Sequence, residues 1–281
     1  MQPLYVNAYT AVTALGAGRD ATRAALAAMR SGLAANDFGP GRVEAFVGRV
    51  AGVETTAVPV PLRDFDCRNH RLAWLGLQQD GFVDAVARAV ARHGAGRIAV
   101  IAGTSTSGVL STEMGYRNRD PATGALPDTV RYAETHNFSA LTEFVRRALD
   151  LTGPTLTIST ACSSSSKVFA TASPWISAGL CDAAVVAGVD SLCGTTLHGF
   201  DSLQLVSRTA CRPFDVARDG LSPGEGAGFV LLEREPAPGA STSASRVALL
   251  GYGESADAHH MSAPHPEGLG AQMAMAAAIE R

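Results

Sequence analysis

Lysine is almost missing from this chain of 281 residues: Lys167 is the only one, against 22 arginines. No run approaches the roughly 20 consecutive apolar residues that a membrane-spanning helix needs. The first residues carry no basic stretch followed by an apolar one, so no signal peptide is read and the expected compartment is the cytoplasm. Cysteine is scarce, with five residues in all, and their spacing shows no Cys-x-x-Cys pair. An odd, scattered set argues against a disulfide framework and against a zinc site. Charged residues are 17% of the chain and the formal net charge is −3. The arginines form no concentrated stripe, which excludes the usual footprint of a nucleic-acid binder.

What is present is an ordinary globular mixture, 46% hydrophobic, long enough to bury one large core. Short apolar runs bounded by turn residues predict strands over 4–8, 98–102, 155–159, 183–187, 228–232 and 246–250. Helical spacing of apolar residues predicts helices over 20–30, 75–92, 139–149, from about Ser163 towards Ser177, and over 270–281. Ser139 is read as a helix cap. Residues 31–66 and 115–137 are the least regular, and 236–243 read as a small-residue loop. The alternation of strand and helix predicts an α/β fold with a largely parallel sheet covered by helices on both faces.

The most informative stretch runs Gly153-Pro-Thr-Leu-Thr-Ile-Ser-Thr-Ala-Cys-Ser-Ser-Ser-Ser-Lys167. A β-branched run leads into Cys162, and small polar residues then open a helix. A cysteine at such an elbow meets unpaired amide N–H groups and the positive end of a helix dipole, both of which favour an anion. The same amides suit an oxyanion formed when a thioester is attacked. Placement alone leaves two readings open, a nucleophile or a small buried core residue. Cys181 precedes a predicted strand, and Cys67, Cys193 and Cys211 fall in irregular stretches, so none of these is read as catalytic. Gly224-Glu-Gly-Ala-Gly lacks the Lys-Ser/Thr of a phosphate loop and precedes a strand. His259 and His260 are adjacent and cannot share one face, so no metal is assigned.

Thr160-Ala-Cys-Ser-Ser-Ser resembles the active-site motif of the β-ketoacyl-[acyl carrier protein] synthases. Further likenesses follow in order, in Gly103-Thr-Ser-Thr-Ser-Gly108, Ala178-Gly-Leu-Cys-Asp-Ala-Ala-Val-Val-Ala-Gly-Val-Asp-Ser, Cys211-Arg-Pro-Phe-Asp-Val-Ala-Arg-Asp-Gly220, Gly224-Glu-Gly-Ala-Gly-Phe-Val-Leu-Leu-Glu233 and the stretch from Ser255 to Pro264. The resemblance implies a thiolase-like fold, with residues 1–254 as its N-terminal βαβαβαββ half and 255–281 as the beginning of the second half. It implies that Cys162 takes an acyl group from the phosphopantetheine of an acyl carrier protein. Condensation with a decarboxylated malonyl unit follows, in fatty acid or polyketide synthesis, with no further cofactor. Arg63, Arg68 and Arg71 match the region by which relatives dock that carrier. The strand before Cys162 is expected to pair with its counterpart in a homodimer or in a heterodimer with a related subunit.

The family's two catalytic histidines lie in motifs of the form His-Gly-Thr-Gly-Thr and Asn-His-Ser-Phe-Gly, and neither occurs here. The family's Gly-Phe-Gly-Gly turn and the lysine between those motifs are absent too. A fragment of a longer synthase, inactive alone in condensation, is therefore expected. The alternative is a natural half-protein that needs a partner, or a non-catalytic subunit of the same kind. Subunits that only set chain length replace the nucleophilic cysteine, and this chain keeps it.

Overall fold

The computed structural model describes residues 1–39, 43–238, 247–260 and 263–281. The chain begins with β1 (Leu4–Thr13), β2 (Gly16–Ala17), α1 (Arg19–Ala27) and a small hairpin, β3 (Leu33–Ala35) and β4 (Phe46–Gly48). Helices α2 (Arg68–Leu77) and α3 (Phe82–His93) lead to β5 (Ile98–Gly103), then α4 (Val109–Arg117) and α5 (Ser139–Ala148). Strand β6 (Thr155–Ile158), α6 (Ser164–Ser177), β7 (Ala183–Asp190) and α7 (Gly194–Ser202) follow. The last elements are β8 (Gly226–Glu233), β9 (Ala248–Leu249) and α8 (Leu269–Glu280).

One sheet runs in the order β2-β1-β8-β7-β5-β6, with β9 also paired to β1. Strands β7, β5 and β6 are parallel, whereas β8 is antiparallel to both β7 and β1. The expected largely parallel sheet is thus a mixed one, parallel only in the half that carries Cys162. The physical reason is that the connection from β7 to β8, which carries α7, re-enters the sheet at the end where β7 leaves it, so β8 runs back along β7. The fold class is otherwise the α/β one expected.

Strand β5 is buried along its whole length. Its alternation splits two cores, with Ile98, Val100 and Ala102 in one and Ala99 and Ile101 in the other. The first core is covered by α2, α3 and α5, through Leu72, Leu77, Phe82, Val86, Leu141 and Phe144. The second is covered by α6, whose Val168, Ala172 and Ile176 recur every four residues on one stripe. A strand buried on both faces reads as a continuous apolar run, which is why it was visible as one.

The helix expected over 75–92 is two helices. Asp80 and Gly81 both take the left-handed conformation between them, with φ of 57° and 66°. Asp80 holds that conformation because its carboxylate accepts hydrogen bonds from the Thr10 hydroxyl at 2.8 Å and the Arg19 N–H at 3.0 Å. Ser139 does not cap α5; the Asn137 side-chain oxygen accepts its N–H and O–H, each at 3.0 Å. The last expected strand shrinks to β9, and Arg246 lies outside the described residues, as do 239–243 of the small-residue loop.

Arg68 departs from expectation. Instead of standing on a docking rim, its guanidinium turns inward to Glu225, with Nε–Oε2 at 2.8 Å and Nη2–Oε1 at 2.6 Å. The Arg68 side chain is 9% exposed and that of Glu225 not at all. Glu225 also accepts the N–H groups of Val50 and Leu192 at 3.0 and 3.1 Å, tying α2, the β4 side and the end of β7 to the start of β8. A buried charge needs such saturation, because removing one partner strands the other without water. Among the described residues no helix is long and apolar enough to cross a membrane. Glu225→Ala should lower stability by about 3–5 kcal/mol. Urea unfolding followed by circular dichroism checks this; a midpoint unchanged from the parent chain contradicts it.

Candidate active site

Strand β6 ends at Ile158, a 3-10 turn begins three residues on at Ala161, and α6 starts at Ser164. The turn is made at Ala161, a non-glycine residue with φ of 52°. An L-residue in that region is strained by roughly 1–3 kcal/mol, so its surroundings must hold it there. Hydroxyl groups do so. The Thr160 N–H donates to Ser164 Oγ at 2.9 Å, and the Ser164 O–H donates to the Ala161 carbonyl at 2.6 Å. The Ser163 O–H donates to the Thr160 carbonyl at 2.9 Å. The left-handed residue swings the next one outward, and Cys162 stands exposed on the 3-10 turn that opens α6. Among the described residues no side chain caps α6; the 3-10 turn takes up two of the nearby amides, the Ser163 N–H donating to the Thr160 carbonyl at 3.3 Å and the Ser164 N–H to that of Ala161.

Two glycines let this elbow sit where it does. A Cβ on Gly103, at the end of β5, would lie 2.5 Å from the Ser164 carbonyl carbon. One on Gly188, in β7, would lie 2.5 Å from Ser165 Cβ. Real Cβ atoms do not approach so closely, so α6 rests its first turn directly on the sheet only because both positions are bare. Sequence reasoning missed these two residues as site determinants; glycines inside otherwise β-branched strands were the available signal.

Helix N-termini do not by themselves single out Cys162. Cys67 and Cys193, expected in irregular stretches, occupy the positions just before α2 and α7. Burial separates them. Cys67 is 4% exposed, and burial pushes its thiol up to about 12. Burial likewise pushes Cys181 up to about 11 and raises Cys193. A thiol held above the ordinary range is a poor nucleophile. Cys211 is half-buried, which leaves Cys162 as the one exposed cysteine among the described residues.

Two hollows flank α6. A groove of about 750 Å³ runs along the sheet face between Tyr9, Phe169, Val230 and Tyr252. A smaller one of about 380 Å³ is lined by Ser163, Ser166, Lys167 and Asp257. The Lys167 ammonium reaches Glu254 at 2.9 Å and fastens the following segment to the helix. Of the remaining arginines expected at a docking rim, Arg63 is exposed on a short 3-10 turn, Val60–Phe65. Arg71 is half-buried and grips Asp66 with two bonds of 2.5 and 2.7 Å. His70 is buried against Phe144, His93 pairs with Glu233, and His136 with Thr112, so these three are engaged away from the elbow. Among the described residues no three His, Cys, Asp or Glu side chains gather as a metal site.

A family model described as "Beta-ketoacyl synthase, N-terminal domain" matches residues 70–237. The 3-oxoacyl-[acyl-carrier-protein] synthase 2 of Rhizobium meliloti (strain 1021) is 37% identical over 139 residues, 47% of this chain and 33% of the relative. That of Staphylococcus aureus is 34% identical over 134 residues, 46% of this chain and 33% of the relative. The matched stretch thus spans about a third of either relative's length. Among solved structures, a ketosynthase (ApeO) in complex with its chain length factor (ApeC) from Xenorhabdus doucetiae superposes with a TM-score of 0.85 at 37% identity. It is covered over 68% of its chain and covers 99% of this one. A β-ketoacyl synthase from Burkholderia phymatum STM815 superposes with a TM-score of 0.79 at 24% identity, a likeness of fold alone; 99% of this chain and 71% of that one are covered.

Iodoacetamide at about pH 8 should modify Cys162 first and leave Cys67, Cys181 and Cys193 untouched while the chain stays folded. Peptide mass spectrometry reads the order. Early modification of Cys67 or Cys193 would overturn the selection by burial.

Proposed function

The chain belongs to the β-ketoacyl synthase family, and from that premise we propose that Cys162 is its acyl-accepting nucleophile. The observation that carries the reading is the exposed thiol on a left-handed elbow at an uncapped helix start. The thiolate attacks the carbonyl of an acyl thioester held on the phosphopantetheine of an acyl carrier protein. Negative charge gathers on the carbonyl oxygen, where amides of the elbow serve as donors. The carbon–sulfur bond to phosphopantetheine then breaks, the departing thiolate takes a proton, and the acyl group remains on Cys162. In a complete synthase, a malonyl thioester on a second carrier loses CO₂ and its α-carbon attacks the acyl-enzyme. That releases Cys162 and a β-ketoacyl chain longer by two carbons. No cofactor beyond the carrier-borne phosphopantetheine enters this scheme.

Decarboxylation develops an enolate, and losing even one donor placed for such a charge typically slows a reaction by about 10²–10³. The motifs that carry both family histidines are absent from these 281 residues. The proposal is therefore that the chain acylates but does not condense by itself. Carrier docking is assigned to Arg63 and Arg71, since Arg68 is committed to Glu225. Rim charges act mainly on association. Mass spectrometry after exposure to an acyl-carrier thioester should find one adduct, lost in Cys162→Ala, and no β-ketoacyl product when malonyl-carrier is added. Arg63→Glu with Arg71→Glu should slow acylation from the carrier and spare acylation from a small thioester. An adduct that persists in Cys162→Ala sinks the reading, and steady malonyl-dependent turnover sinks the claim of inactivity.

Partnership is proposed through β6. Among the described residues it is the last strand of the sheet, paired on one side only, and Thr155 and Leu156 are exposed on it. An apolar unpaired edge favours pairing with another chain. The proposed occupant is a second copy or a related synthase subunit, making one sheet through the pair. Thr155→Pro removes an N–H on the free side of β6 and should leave monomer where the parent shows dimer by light scattering. An unaltered dimer would count against this edge.

A further inference from the structure

Asp190 is the last residue of β7, and a single oxygen of its carboxylate accepts four hydrogen bonds from the turn after β5. They come from the Thr104 O–H at 3.0 Å, the Ser105 N–H at 2.7 Å, and the N–H and O–H of Thr106, each at 3.0 Å. The turn is closed on itself as well. Thr104 Oγ1 accepts the N–H groups of Thr106 and Ser107 at 3.3 and 3.0 Å, and Thr106 Oγ1 accepts the Ser191 N–H at 3.0 Å. The Thr104 N–H donates to the Ile158 carbonyl at 3.1 Å, which reaches the end of β6. Thr104, Thr106 and Ser107 are all buried.

One carboxylate thus ties the carboxyl end of β7 to the turn after β5, and that turn reaches the end of β6 through the Thr104 N–H. The sheet ladders already hold these strands along their lengths, so the clamp adds rigidity only at the edge from which the Cys162 elbow departs. The elbow leans on that same edge. Gly103, one residue before Thr104, meets the backbone of Ser164, and Gly188, two residues before Asp190, meets Ser165. A shift of the turn is passed on to α6 by direct contact, because a packed backbone has no slack. Hydrogen bonds to an ionised acceptor are roughly twice as strong as neutral ones, which suits a group asked to gather four donors.

We infer that Asp190 is a positioning residue for Cys162: by fixing the Thr104–Thr106 turn beneath α6 it aligns the thiol with the elbow amides, without touching substrate. The inference rests on the acyl-transfer reading above, and goes beyond it by assigning a residue outside the Thr-Ala-Cys motif.

The test compares the parent chain with Asp190→Asn, which keeps the shape and removes the charge, and with Thr106→Val, which removes one donor. Acylation of Cys162 by a small thioester should slow by about 100-fold in Asp190→Asn, since misplacement near 1 Å has that order of effect. Alkylation of Cys162 by iodoacetamide needs the thiolate but no oxyanion donor, and should slow far less than acylation. Hydrogen exchange of the amides of Ala161–Ser163 should quicken by about tenfold as the edge loosens. Thr106→Val should move acylation and exchange in the same direction by less. Acylation and exchange at parent levels in Asp190→Asn would overturn the inference. So would alkylation of the buried Cys67, Cys181 and Cys193, which marks general unfolding instead of misalignment. Should the parent itself accept no acyl group, the acyl-transfer reading falls; the exchange measurement still decides whether Asp190 holds the elbow.

Discussion

The first turn of α6 lies on the sheet at backbone distance, and the remainder of the candidate site depends on that contact. It exists because Gly103 and Gly188 offer no Cβ where Ser164 and Ser165 come down. Given that seat, the chain leaving β6 has too little room to enter the helix gradually, and Ala161 must turn left-handed. The left-handed residue exposes Cys162, and the Ser163 and Ser164 hydroxyls secure the strained loop. Small residues around the thiol are thus a packing requirement before they are a chemical one.

Charge in this chain divides between groups that hold the fold and groups left to water. Arg68 with Glu225, and Glu233 with Arg92 and His93, join elements far apart in the chain and are largely withdrawn from solvent. Arg23 with Asp20 sits in the open and holds little, as exposed pairs do. An arginine-rich segment such as 63–71 therefore contains two kinds of residue with the same formula, and only their partners separate them.

Much of this was legible in the sequence where the signal is local. The β-branched run into Thr160-Ala-Cys162 named the elbow, and the apolar runs of β5 and β7 named the buried strands, because alternation and turn residues act over a few positions. Strand direction was not legible, since an apolar run reads alike whichever way its neighbour points. The break at Asp80 was hidden because a left-handed aspartate has no periodic signature; what sustains it is Thr10, some 70 residues away. The inward turn of Arg68 was hidden for the same reason, its partner Glu225 lying 157 residues along the chain. Helix starts before Cys162, Cys67 and Cys193 look alike locally, and only three-dimensional burial ranks the thiols.

The ion pair between Lys167 and Glu254 has a use of its own, because Lys167 is the only lysine. Apart from the amino terminus, every amine-directed reagent meets a single nitrogen, one helical turn beyond Ser163. Reductive methylation with isotope-labelled formaldehyde would set a lone methyl probe there without removing the positive charge. Its resonance would follow the seating of the 251–257 segment on α6 in a spectrum holding only one side-chain signal.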